Sequence, residues 1–217
     1  MKFSLNLAQY YTDLDFKSLS IDEILQRMGA QLGAIEDVER YADKYQSIVV
    51  AKVISCEKHP DADKLSLCLV DDGGVTPNVD RNDQGLVQVV CGAPNARADI
   101  YVAWIPPAAT VPASFGDEKP FVLEAREIRG KVSNGMLASL KELDMGDDHD
   151  GILEISAADL ERVPQVGEPF SNLYSLDDVI IDCENKMFTH RPDCFGNLGV
   201  ARELAGIFEM QYQSPDW

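Results

Sequence analysis

The period of the apolar positions changes twice along this chain. The first 42 residues read as a strand followed by a helix, with Ile21, Ile24, Leu25, Met28 and Leu32 on one helical face. Ser20 followed by Glu23 is a capping box at the helix start, and Gly33 is the stop signal. One apolar stripe this short needs a partner, so the segment is not a domain by itself. From about residue 47 to 155 the period is that of strands, at 47–55, 65–70, 86–91, 100–105, 121–129 and 151–155. In the second of these, Leu65, Leu67 and Leu69 alternate with Ser66, Cys68 and Val70. Turn signals separate the runs: Asp72-Gly73-Gly74, Ala93-Pro94-Asn95, Pro106-Pro107 and Asp117-Glu118-Lys119-Pro120. Five or six short strands so spaced fit a sandwich or a small barrel. The polar stretch 71–85 reads as a surface loop.

Past Ile155 helical spacing returns. Ser156 and Asp159 bracket a short turn that Pro164 ends, and residues 179–181 form a further strand. Asp193 is placed to cap a helix carrying Leu198, Ala201, Leu204, Ala205 and Phe208 on one face. The order mixed, all-β, mixed predicts a β unit inserted into a small α/β domain whose two halves pack together.

Composition narrows the partners. At 45% hydrophobic the 217 residues can bury an ordinary core. The net charge of −18 argues against wrapping duplex DNA, where affinity comes mainly from phosphate neutralisation. RNA stays open, because a local basic patch can sit on an acidic body. Residues 43–153 hold 11 Lys/Arg against 18 Asp/Glu, and the flanks hold 8 against 19. The β region is therefore less acidic than its surroundings without being basic. Cysteines 56, 68, 91, 183 and 194 have no paired spacing and read as reduced, buried thiols. There is no signal-peptide pattern and no apolar run near the ~20 residues of a membrane span, so the expected location is cytoplasmic, with no membrane partner.

No catalytic or metal constellation emerges. The three histidines, 59, 149 and 190, have no nucleophile elbow nearby. Cys56 and His59 have ligand spacing, but no second pair follows, and the aspartates of 61–72 lack the pattern of a calcium loop. No phosphate-binding glycine loop is present. RNA chemistry fares better. Asn95 offers a donor and an acceptor, Arg97 and Arg129 planar forks, and Lys64 and Lys131 point charges, all at predicted strand ends or turns. Ser133 adds a hydroxyl, Gly135 close backbone approach, and Met136 a soft apolar contact.

Three strings carry or border these residues: His59-Pro60-Asp61-Ala62-Asp63-Lys64-Leu65, Val89-Val90-Cys91-Gly92-Ala93-Pro94-Asn95, and Ile128-Arg129-Gly130 with Ser133-Asn134-Gly135-Met136-Leu137. In this order, followed by Glu142-Leu143 and Asp150-Gly151-Ile152, they resemble the tRNA-binding oligonucleotide-binding (OB) module of bacterial-type phenylalanyl-tRNA synthetase β subunits. The opening Met1-Lys2-Phe3-Ser4 and the run from Arg191-Pro192-Asp193-Cys194 to Leu204 look like that family's first segment and its linker towards an editing domain. The chain departs from the family in His190 before Arg191, in a longer 71–85 loop, and in Ala138-Ser139 where Cys-Ser is common.

The resemblance implies an α+β fold: a five-stranded OB-type β-barrel inserted into a small mixed α/β domain. The expected parts are 1–42 and 154–190 as the two halves of that domain, 43–153 as the OB module, and 191–217 as a linker helix. It further implies an N-terminal fragment of a subunit that works with an α subunit in an α2β2 assembly, charging tRNA with phenylalanine. The ATP and Mg²⁺ of that reaction belong to the whole enzyme; this segment is expected to hold no cofactor, metal or catalytic residue. Lys64, Asn95, Arg97, Arg129, Lys131, Ser133 and Met136 are the expected tRNA contacts. Two other readings share the fold: a free-standing OB-fold tRNA-binding or chaperone-like protein, and a protein-interaction module of the synthetase that touches no RNA.

Overall fold

A computed structural model describes residues 1–13, 15–160, 162–184, 186 and 189–215, the side chain of Lys17 aside. The chain divides into two compact units, Met1–Ala42 with Asp177–Trp217, and Asp43–Leu176.

The first unit is built on a three-stranded antiparallel sheet in the order β1 (Lys2–Ser4), β11 (Val179–Cys183), β2 (Ile35–Arg40). Helices α1 (Leu5–Tyr10), α2 (Ile21–Gln31) and α5 (Asn197–Ile207) share its core, in which Phe3, Ile24, Met28, Ile181, Val200 and Leu204 are buried. The predicted α2 cap is present: Ser20 Oγ accepts from the Glu23 amide at 3.2 Å. Strand β2 was not expected from the sequence. Its Glu36, Asp37, Glu39 and Arg40 dilute the apolar alternation, which an edge strand tolerates because its core face is only half-buried. Asp193 does not cap α5. The N-cap is Gly196, with no side-chain bond, and Asp193 lies in a 3-10 turn (Pro192–Phe195). There its carboxylate accepts from Arg191 at both oxygens, at 3.0 and 2.8 Å, and from the Arg202 side chain at 3.4 Å. The turn lies hard against the helix: a Cβ on Gly199 would fall 1.9 Å from the Asp193 carbonyl oxygen, so only glycine fits there.

The second unit holds a six-stranded antiparallel sheet. Its path runs β10 (Glu154–Ile155), β6 (Tyr101–Ile105), β3 (Val49–Lys58), β4 (Ser66–Asp71), β5 (Val87–Cys91), with β9 (Met136–Leu137) also paired to β6. β7 (Arg126–Ile128) and β8 (Lys131–Ser133) form a separate hairpin, and α3 (Tyr41–Tyr45) and α4 (Ala157–Leu160) are short. The fold is thus mixed α+β with antiparallel sheets. Among the described residues this sheet has six strands, and its ladders are not closed into a barrel. In β4 the fully buried face belongs to Cys68 and Val70, while Leu67 and Leu69 are half-buried. The predicted strand 121–129 is realised only as β7. Residues 121–123 bond instead to the 108–111 loop, through Val111 N–H to Phe121 O (2.8 Å) and Leu123 N–H to Ala109 O (2.9 Å). That loop cannot extend a ladder, because Pro106, Pro107 and Pro112 have no amide hydrogen to donate.

Candidate nucleic-acid interface

The first string forms the turn from β3 to β4. His59 is buried there, and both its ring nitrogens are engaged. Nδ1 accepts from the Asp61 amide at 3.1 Å, which leaves the proton on Nε2, 3.3 Å from the Ile128 carbonyl. This bond ties the β3–β4 turn to the β7–β8 hairpin. The hairpin loop is Arg129-Gly130, with φ +52° and +79°, the paired left-handed geometry of a type I′ turn. Arg129 is held at its exposed tip.

The rest of the third string joins strands. Ser133 is buried; its Oγ accepts from the Val90 amide and donates to the Gly135 carbonyl, both at 3.0 Å. The Asn134 amide donates to Gln88 O at 2.9 Å, and its carbonyl accepts from the Trp104 indole at 2.9 Å. Gly135 has φ +81°, and a Cβ there would lie 2.1 Å from the Ile105 carbonyl oxygen. Met136 then pairs with Ile105 in β9.

In the second string, the Asn95 side-chain amide makes a reciprocal pair with the backbone of Ile152, donating and accepting at 2.9 Å. Gly151 permits this approach, since a Cβ on it would meet Asn95 Oδ1 at 2.7 Å. Arg97 pairs with Glu154 at 2.6 Å across an exposed surface, a contact of small energetic weight.

The cations of this unit fall into two sets. Lys44, Lys52, Arg81, Arg97 and Arg162 are ion-paired. Among the described residues, Lys58, Lys64, Arg126, Arg129 and Lys131 have no carboxylate partner, and all five lie on the two hairpins that His59 joins; Lys119 and Lys141 are the other two without one. Two grooves flank the Gly92–Pro94 turn. One, of about 380 Å³, is edged by Lys58, Lys64, Ser66 and Pro94. The other, of about 370 Å³, is lined by Phe121, Arg126, Ile128 and Met136, and also by the acids Glu124, Glu142 and Asp150. Phe121 is 54% exposed, unusual for so large an apolar ring.

Of the seven expected contacts, the fold brings Lys64, Arg129 and Lys131 to the joined hairpins and Met136 to the adjoining groove. Asn95 and Ser133 are engaged with backbone, and Arg97 with Glu154. Sequence reasoning missed Lys58, Arg126, Phe121 and the strut His59. Lys58 adjoins the first string and Phe121 follows a Lys-Pro turn, but no periodicity marks either.

The one close group of three potential metal ligands among the described residues does not fit Mg²⁺. Ligand atoms of Asp193, Cys194 and Glu203 lie within 4.8 Å of one another. Arg191 and Arg202 occupy the carboxylates, and a thiol is a poor ligand for a hard cation. No described helix is long and apolar enough to cross a membrane.

Joined hairpins carrying unpaired cations beside an exposed aromatic make a surface of the kind that binds nucleic acid, and residues 48–161 match the family described as "Putative tRNA binding domain", to which the chain belongs. Over nearly its whole length it is also similar to proteins named phenylalanine–tRNA ligase beta subunit. It is 38% identical over 207 residues to that of Paramagnetospirillum magneticum, covering 95% of this chain and 23% of the relative. It is 36% identical over 216 residues to that of Idiomarina loihiensis (100% and 24%) and 37% over 188 residues to that of Synechococcus sp. (87% and 21%). The chain spans less than a quarter of the length of these relatives.

Proposed function

We propose that this chain is the tRNA-holding part of a phenylalanine–tRNA ligase β subunit. In this reading it positions tRNA and performs no chemistry. Charging of tRNA with phenylalanine, with its ATP and Mg²⁺, is assigned to the rest of an α2β2 enzyme in the cytoplasm, where an α subunit is the protein partner. The observation that carries the reading is the gathering of five unpaired cations on two hairpins joined through His59. Unpaired cations reach a phosphate without first breaking an ion pair. Lys58, Lys64, Arg126, Arg129 and Lys131 hold backbone phosphates, and Phe121 offers its face to an unstacked base.

The barrel belongs to the same proposal. The stretch Ser133–Leu137 reaches β5 through the Val90–Ser133 and Asn134–Gln88 bonds and β6 through the β9 ladder. Counted as one strand beside β3, β4, β5 and β6, it supports a five-stranded OB-type barrel. The domain roles follow: an OB module from about residue 43, inserted between the two halves of a mixed domain that ends in the linker helix.

A titration of labelled tRNA at low salt tests the function. The chain binds, and replacing Arg129 and Lys131 together with alanine weakens binding about tenfold. Absence of binding at low salt, or affinity indifferent to that double substitution, contradicts the proposal. Co-purification with an α subunit but never with tRNA supports the protein-interaction reading instead.

A further inference from the structure

The tRNA reading leaves unused a pair of thiols on facing strands. Cys56 of β3 and Cys68 of β4 are register partners, and their Sγ atoms are 3.3 Å apart, with Cys68 donating to Cys56. A β-bulge between Val53 and Ser55 makes this possible. Strict alternation from buried Val53 would turn Cys56 away from the core; the extra residue, exposed Ile54, turns it back towards Cys68. Directly opposed residues of antiparallel strands have Cα atoms about 4.5–5.5 Å apart. That lies inside the span of about 4.4–6.8 Å that a disulfide bridges, so closing the bond needs side-chain rotation and no backbone shift.

We propose that Cys56 and Cys68 form a reversible dithiol, oxidised by hydrogen peroxide to an intramolecular disulfide and reopened by thiol reductants. Cys56 is half-exposed, so the oxidant reaches it first. Its thiolate attacks one peroxide oxygen; an S–O bond forms, the O–O bond breaks, and hydroxide leaves. The Cys68 sulfur then attacks the Cys56 sulfur. The S–S bond forms, the S–O bond breaks, and the oxygen leaves as water with the Cys68 proton. Two thiols and one peroxide become one disulfide and two waters. A thiol reductant reverses the step and is itself oxidised to its disulfide. Burial holds the Cys68 thiol above the ordinary thiol range, so Cys68 is not the sulfur that meets peroxide first.

The other thiols are placed differently. Cys91 faces Ser66 in the β4–β5 register, a diagonal neighbour of Cys68, and its sulfur accepts from the Ala93 amide. Cys183 and Cys194 are buried in the first unit and bond to oxygens of Glu184 and Asp193. Oxidation has two local effects. It pins the base of the hairpin that carries Lys58 and Lys64, and it removes the Cys56 S–H that bonds the Ala96 carbonyl at 3.4 Å. The thiol pair stands whether or not that hairpin holds RNA.

The test is peroxide treatment of the 217-residue chain, alkylation of the remaining thiols, and peptide mapping without reductant. Titratable thiols under denaturing conditions fall from five to three, the linked peptide joins Cys56 to Cys68, and dithiothreitol restores all the thiols. Cys56→Ser abolishes the link, and Cys91→Ala leaves it intact. Cys68→Ala abolishes it and leaves a Cys56 sulfenic acid that dimedone traps; if that variant does not fold, Cys56→Ser carries the test. A Cys68–Cys91 link as the main product, uniform oxidation of all five thiols, or irreversible oxidation of Cys56 without a link overturns the proposal.

Discussion

The loop after β4 and the turn of the β7–β8 hairpin each carry an arginine, and the two are held in opposite ways. Arg81 donates to both oxygens of Asp72, at 2.6 and 2.9 Å, and also to the carbonyls of Thr76 and Gly85. Asp72 is fully buried and further receives the Gly74 and Thr76 amides at 3.1 Å. Arg129 stands at a turn tip with no carboxylate partner among the described residues. A cation already neutralised inside the fold contributes to stability and offers little to a ligand. One held exposed and unpaired does the reverse. On a chain of net charge −18, this distinction matters more to RNA binding than the charge total.

The largest effect that tests the contrast is loss of the buried pair. Arg81→Met leaves the Asp72 carboxylate buried without its cation and lowers unfolding free energy by about 3 kcal/mol in denaturant titration, whereas Arg129→Met changes it by less than about 0.5 kcal/mol. Equal losses would erase the difference between the two loops.

Acid gives the next effect. Burial alone raises the Asp72 carboxyl, but the hydrogen bonds from Arg81, Thr76 and Gly74 outweigh it and hold the group at about 2. An unfolded aspartate titrates near about 3.9. A depressed folded value means that this stabilisation is complete above the unfolded value and is lost as pH falls from about 4 towards 2, an amount of roughly 2 kcal/mol. Urea midpoints across that window decline in the parent, and Arg81→Met removes most of this decline.

Smaller still is Asn95→Ala. It strips the Ile152 backbone of both partners and costs about 1–2 kcal/mol of stability in the same titration. This result places Asn95 with Arg81, among side chains that hold the fold. Arg97→Ala, which breaks only an exposed pair, shifts stability by less than about 0.5 kcal/mol.

Local rules explain which of these features could be read from the sequence. The Ser20 cap and the strands around Val53, Val89 and Ala103 follow from spacing and turn residues, since each needs only near neighbours. Alternation marked β4 as a strand, but the fully buried side carries Cys68 and Val70 because the facing strands decide which side is enclosed. Asp193 looked like a cap until Arg191, two residues away, took its carboxylate. Asn95 and Ser133 offered ligand chemistry by type, yet bond to Ile152 and Val90, 57 and 43 residues away in sequence. Partners at such separation leave no periodic trace. The same holds for His59 and Ile128, whose contact gathers the unpaired cations.

The claim that these free cations hold tRNA is tested most directly by the salt dependence of binding. With five phosphates engaged, the logarithm of affinity falls with the logarithm of salt concentration at a slope of about −3.5 to −4.5. Arg129→Ala with Lys131→Ala makes that slope shallower by roughly 1–2, and Arg97→Ala, whose charge is already paired, leaves it unchanged. A slope near zero, or one that responds to Arg97 and not to Arg129 and Lys131, contradicts the account.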